Sequence, residues 1–367
     1  MNSKQKLILA GVFRSGTTFL ARALNSHPQL NIASDPFFEF FKVARNIWFR
    51  DSDPKYDDRQ PLEDYFLKGE NYYRSFHDNF ETIRFESSDI EELKRQIPRN
   101  AGIFSPAVLP FLHKIRPGLA FEVFEQLLEI VELAYPKQDA SVTGIKEVWV
   151  DEFASPLLEQ GYKFVHIIRD PRAIIASNKK SSTGAYPILF LIRQWRKSAA
   201  FALRNRGRNN FFLIRYEDMV SNPDDYLRSM LTFIGVPFHS NVVNANTYRD
   251  GSGKQWTQNT SYQAKEGINT KSMEKWRTVL DTEEISIVEG LCQHEMKALD
   301  YEFDQTSFPI REMLNYDLPA ETIADWIRKY DFEFNEKRIL EEYLYHAQVH
   351  DYSPIPITKD QEKLFHI

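Results

Sequence analysis

The chain has 367 residues, 42% hydrophobic and 14% aromatic, enough to bury a sizeable core in one large domain or two ordinary ones. A formal net charge of −6 excludes a global basic field for nucleic acid or anionic lipid, so any anion site must be a local concentration of Arg and Lys. The single cysteine, Cys292, excludes an intramolecular disulfide framework and a cysteine-based zinc site, and its helical spacing with Val288, Leu291 and Leu299 marks it as a core residue.

The first predicted element is a strand from Leu7 that enters the turn Gly11-Val12-Phe13-Arg14-Ser15-Gly16-Thr17-Thr18, after which Phe19, Leu20, Ala23 and Leu24 recur at helical spacing. Gly11 and Gly16 permit backbone conformations closed to residues with a side chain and let amide N–H groups approach a ligand. The helix start adds unpaired N–H groups and partial positive charge, a place for a phosphate or sulfonate, with hydroxyls from Thr17 and Thr18 and a fixed charge from Arg14. The Gly11 to Gly16 spacing matches the ATP-binding P-loop, but Thr17 stands where that motif requires lysine. Met1 to Lys6 leave no room for a signal peptide or anchor and no apolar run reaches membrane-spanning length, so a cytoplasmic location is expected.

Ser26-His27-Pro28 ends the first helix, and His27 reads as a helix-end residue. Leu30 to Ala33 is a second strand, followed by Asp35-Pro36 and an aromatic stretch from Phe37 to Phe49. Residues 50 to 140 are charged and aromatic, with helices predicted around Leu62 to Phe66 and Phe121 to Tyr135 and no phosphate or metal signature. Two readings stand for this insertion, about 37–140: a helical cover that selects an acceptor, or a structural helical layer. Strands return at Ser141 to Trp149 and Tyr162 to Ile168, the second nearly all apolar as in a central parallel strand. It ends in Arg169-Asp170-Pro171-Arg172, where Asp170 can cap a helix that opens on Pro171. Asn210 to Tyr216 is a further strand. Glu217 and Asp218 come next, read as caps of the helix after them, and a helix from Asp224 to Ile234 is stopped by Gly235.

A polar, glycine-bearing connection runs from Ser240 to Ile268, and helical patterns resume at Ser272 to Val279 and Asp281 to Leu299, the latter with Asp281 and Glu284 at capping-box spacing. The alternation predicts an α/β fold: a P-loop-like central parallel sheet flanked by helices over residues 1–303, with a helical extension at 304–367. In the extension, Ile323, Trp326, Ile327 and Tyr330, then Ile339, Leu340, Tyr343 and Leu344, mark two amphipathic helices that pack on the main domain or form a homo-oligomer interface.

Four separated segments, 7–35, 144–177, 211–236 and 259–277, resemble the sulfotransferases that use 3′-phosphoadenosine 5′-phosphosulfate, in the branch with tyrosylprotein and carbohydrate sulfotransferases. The resemblance implies that Arg14, Ser15, Gly16, Thr17 and Thr18 hold the 5′-phosphosulfate, and that Arg169 and Ser177, eight positions apart, hold the 3′-phosphate. It also implies that Tyr216, in Arg215-Tyr216-Glu217, lies near the nucleotide, and that Ser261 and Lys275 close over it.

Sulfuryl transfer needs positioning, cationic stabilisation of the leaving phosphate and a base for the acceptor hydroxyl. By the same resemblance Arg14 and Lys146 supply the cations, no metal is expected, and Asp35 occupies the place of the tyrosylprotein branch's glutamate base. Glu39 and Glu147 compete for that role, and an N-cap carboxylate is the structural alternative for Asp35. Phe37 replaces an arginine which that branch uses on an acidic peptide, so the acceptor is expected to be a hydroxyl of a small molecule, lipid or carbohydrate. Two further readings remain at this point: a kinase-like transferase with a degenerate P-loop, and a non-catalytic nucleotide-binding protein.

Overall fold

Apolar residues alternate sides along each short run, and the computed structural model turns that alternation into a sheet covered on both faces. It describes residues 4–52, 78–148, 150–179, 186, 188–256 and 273–305. The elements are β1 (Gln5–Ala10), α1 (Thr17–Asn25), β2 (Leu30–Ser34), α2 (Phe38–Ser52), β3 (Arg84–Phe85), α3 (Ser87–Gln96), α4 (Pro98–Phe104), β4 (Gly118–Leu119), α5 (Ala120–Ala134) and β5 (Val142–Lys146). After these come α6 (Ala154–Glu159), β6 (Lys163–Ile168), α7 (Pro171–Lys179), α8 (Ile188–Asn205), β7 (Phe211–Arg215), α9 (Tyr216–Ser221), α10 (Pro223–Ile234), α11 (Trp276–Val279) and α12 (Thr282–Ala298).

Five strands form one parallel sheet in the order β2-β5-β1-β6-β7, with Leu9 opposite Lys146, Ser34 opposite Lys146, and Ile168 opposite Arg215. Leu7 and Leu9 face a core with Leu20, Leu24, Leu227 and Leu231 from α1 and α10. Ile8 and Ala10 face the other, with Phe124 of α5, Trp195 of α8 and Leu291 of α12. Because all five strands run the same way, their carboxyl ends share one edge, and the segments after β1, β2, β5, β6 and β7 leave the sheet there.

The described part of the insertion packs through aromatic side chains, with Phe40 stacked on Phe85 at 5.3 Å and packed on Phe124, while Phe41 lies against Phe153 at 4.6 Å. It is not purely helical, since β3 and β4 pair antiparallel within it. Helix α1 ends at Asn25, where the buried Lys137 ammonium donates to the carbonyls of Asn25, His27 and Leu30, satisfying acceptors the helix leaves open. His27 is also a helix-end residue, bonded to Pro237 O and to Gln29 N. Cys292 is fully buried.

The capping box at Asp281 and Glu284 is formed, and Asp170 caps α7 through Arg172 N at 2.8 Å. The helix expected from Ser272 begins only at Trp276, and the connection after Ser240 opens with two 3-10 turns, Ser240–Val243 and Ala245–Thr247, that bury Val242 and Tyr248. Ser261, the helix around Leu62 to Phe66 and the two C-terminal helices lie outside the described residues. No helix among the described residues is long and apolar enough to cross a membrane.

Candidate active site at the carboxyl edge of the sheet

The loop leaving β1 is built by unusual backbone angles. Gly11, Arg14 and Gly16 have φ of 141°, 69° and 97°. For Arg14 this left-handed geometry is a strain that ordinary loops avoid. A Cβ on Gly16 would lie 2.5 Å from the Tyr216 ring, so ring and loop fit only because that position is bare. Ser15 donates its hydroxyl and its N–H to Val12 O, which closes the turn. No side chain caps α1 at Gly16, which leaves the first amides of the helix, beginning at Thr17, as an anion-binding end.

Arg169 connects this loop to the end of β6. Its Nη1 donates to Arg14 O at 2.9 Å, its guanidinium lies 4.3 Å from the Tyr216 ring centre, and its own carbonyl accepts from Trp195 Nε1 at 2.7 Å. Arg14, Gly16, Arg169 and Tyr216 are thus brought together from three strand ends. Ser177 sits buried on α7, two helical turns beyond Arg169, and Lys275 directly precedes α11, whose Trp276 ring packs against Arg172 of α7 at 4.0 Å. Glu217 does not cap the following helix, α10, as expected: it accepts from Asp170 N, at the start of α7, at 3.0 Å and from the Tyr301 hydroxyl at 3.0 Å.

On the other side of β1, carboxylates gather at the ends of β2 and β5. Asp35 Oδ2 accepts from Lys146 Nζ at 2.6 Å, so the expected base and one expected cation form a buried ion pair. Asp35 has φ 48°, and its N–H donates to Lys146 O at 2.6 Å. The carboxylate therefore does not cap α2; Glu147 does so, accepting from Phe37 N at 2.5 Å just ahead of that helix. Burial, with the Asp35 charge beside it, pushes the Glu147 carboxyl well above the usual range. Glu39, fixed by Asn100 at 2.9 Å, is raised by burial to about 7. Asp35 Oδ1, Glu39 Oε2 and Glu147 Oε2 have no hydrogen-bond partner among the described residues. Among those residues no group of three His, Cys, Asp or Glu is placed to hold a metal ion.

The β2 and β1 ends lie two strand spacings apart, about 10 Å along the hydrogen-bonding direction. An anion cradle with arginines thus shares the sheet edge with a carboxylate that is charge-compensated by lysine, groups of the kind that move an anionic group onto a deprotonating nucleophile.

Sequence reading missed Ser105, whose hydroxyl bonds both the N–H and the carbonyl of Ser34, and the Arg172 cluster with Asp170 and Glu289. Only the Arg172 cluster left a signal, the doubled charge of Asp170-Pro171-Arg172.

The family described as "Sulfotransferase domain" matches residues 4–300. Human carbohydrate sulfotransferase 3 is 26% identical over 41% of this chain and 36% of its own length, and human carbohydrate sulfotransferase 1 is 26% identical over 50% and 53%. The chain thus spans between about a third and about half of the length of these two curated relatives. The solved "Sulfotransferase Domain from the Curacin Biosynthetic Pathway" is 17% identical, with 83% of this chain and all of that one covered at a TM-score of 0.46.

Proposed function

The chain belongs to the sulfotransferase domain family, and from that premise we propose that it moves a sulfuryl group from 3′-phosphoadenosine 5′-phosphosulfate to a hydroxyl of a carbohydrate. The observation that carries this reading is the joining of the uncapped α1 loop to Arg169 and Tyr216, two phosphate elements tied by the bond from Arg169 to Arg14 O. The residues fit the donor: Gly16 keeps the cradle open, the α1 amides and Arg14 would hold the 5′ group, and Arg169 with Ser177 would hold the 3′-phosphate. Lys275 and Ser261 would close over the nucleotide. When bound, the donor supplies an activated sulfuryl group and leaves as adenosine 3′,5′-bisphosphate.

In this reading Arg14 stabilises charge that builds on the leaving phosphate. Asp35 takes the acceptor's proton on the oxygen that Lys146 does not occupy, and Lys146 moderates the charge of that carboxylate. The carbohydrate preference rests on the names of the two human relatives, and the insertion, 37–140, is the part of the chain proposed to choose among acceptors. A cytoplasmic location and association through the C-terminal helices belong to the same proposal.

The test uses radiolabelled donor with N-acetylglucosamine, galactose, p-nitrophenol and dodecanol as acceptor probes, together with calorimetry of adenosine 3′,5′-bisphosphate binding. Label is expected on a sugar. Label on the phenol or alcohol instead would move the acceptor class, and no bisphosphate binding would sink the reading altogether.

A further inference from the structure

We propose that Ser105 is a positioning residue for Asp35, an inference that rests on Asp35 acting as the base. Among the described residues strand β2 is the outer strand of the sheet, with β5 on one side and no described strand on the other. At its last residue one hydroxyl takes the place of a missing strand: Ser105 Oγ accepts from Ser34 N at 3.0 Å and donates to Ser34 O at 2.8 Å. The peptide joining Ser34 to Asp35 is thereby held at both ends, its carbonyl by Ser105 and its N–H by Lys146 O at 2.6 Å.

That clamp has something to hold. Asp35 has φ 48° and precedes Pro36, whereas a proline ordinarily drives the residue before it into extended backbone. Released on the Ser105 side, the peptide can turn to a relaxed conformation and carry the free Oδ1 of Asp35 away from where it faces.

Ser105 is itself fixed without reference to a ligand. It ends α4 with its N–H on Ala101 O at 2.8 Å, precedes Pro106, and has no solvent exposure. The turn around Gly251 covers it: Tyr135 donates to Gly251 O at 3.1 Å, and a Cβ on Gly251 would collide with Phe104 O. The side chain is thus a rigid post reaching from the insertion to the residue beside the base.

The experiment compares Ser105→Ala, Asp35→Asn and the double variant. Hydrogen exchange of residues 32–37 is expected to rise at least tenfold in Ser105→Ala while residues 7–10 are unchanged. Adenosine 3′,5′-bisphosphate affinity should stay within twofold. Turnover with the best acceptor probe should fall on the order of 10- to 100-fold with little change in donor KM, and adding Ser105→Ala to Asp35→Asn should cost nothing more. Unchanged exchange at 32–37, a full second loss in the double variant, or loss of bisphosphate binding by Ser105→Ala would each overturn the assignment. A wild-type protein that labels no acceptor would defeat the functional reading instead, and the exchange measurement would still decide whether Ser105 holds Asp35.

Discussion

Gly16 meets two demands at once, a φ of 97° and the Tyr216 ring against its bare α-carbon. Gly16→Ala is therefore expected to push Tyr216 off Arg169 and abolish bisphosphate binding, read by calorimetry, while thermal unfolding shows the sheet intact. The three carboxyls separate by their surroundings. Burial and the Asp35 charge oppose ionisation of Glu147, so Glu147→Gln, its neutral isostere, should keep turnover within a few-fold. Asp35→Asn should lose roughly 10²- to 10⁴-fold, the usual worth of a general base. The reverse order of losses would make Glu147 the base. Glu39 connects pH to stability. Its folded value of about 7 stands above the ordinary 4.5, so its contribution is full below pH 4.5, declines as pH rises, and is gone above 7. Wild type should lose about 3 kcal/mol relative to Glu39→Gln between pH 4.5 and 7.5, measured by urea unfolding.

Helix α7, which carries Ser177, is fastened to α12 by Lys179, paired with Glu284, and by the more deeply buried Arg172. Arg172 donates to Asp170 at 2.7 Å and to Glu289, which has no solvent exposure, and lies flat on Trp276. Arg172→Met keeps the length of the stem but leaves Glu289 without its charge partner, and a loss of about 3–5 kcal/mol in urea unfolding is expected. A loss below about 1 kcal/mol would show that Glu289 finds other donors. Elements of this kind mark the limit of what was legible. β1, α1, β6 and the capping box of α12 were readable because their apolar period and end residues agree. Helix α8 was not: Gln194, Arg196 and Lys197 interrupt its apolar pattern, yet they are buried, with Arg196 answered by Glu295 from a helix far along the chain. The positions of Arg14 and Arg169 beyond strand ends were legible because Gly16 and Pro171 follow closely after them. Ser105 was not, because its value comes from an outer strand whose place in the sheet no local pattern states.

At the scale of the whole molecule, sheet order converts distant sequence into one edge: Asp35 and Lys146 become an ion pair because β2 lies beside β5, and Arg169 reaches the Arg14 loop because β6 lies beside β1. The central position of β1 bears on how the protein is made. The strand closest to the start of the chain has neither neighbour until residues 142–146 and 163–168 have been synthesised. Until then both of its apolar edges can pair with other chains, and its closing contacts span long loops, a slow and aggregation-exposed route. A fragment of residues 1–140 is expected to be insoluble when expressed alone, while extension to 305 should give soluble protein, as sedimentation of the two lysates would show. Nascent chains of this fold would then call on holding chaperones for most of their time on the ribosome.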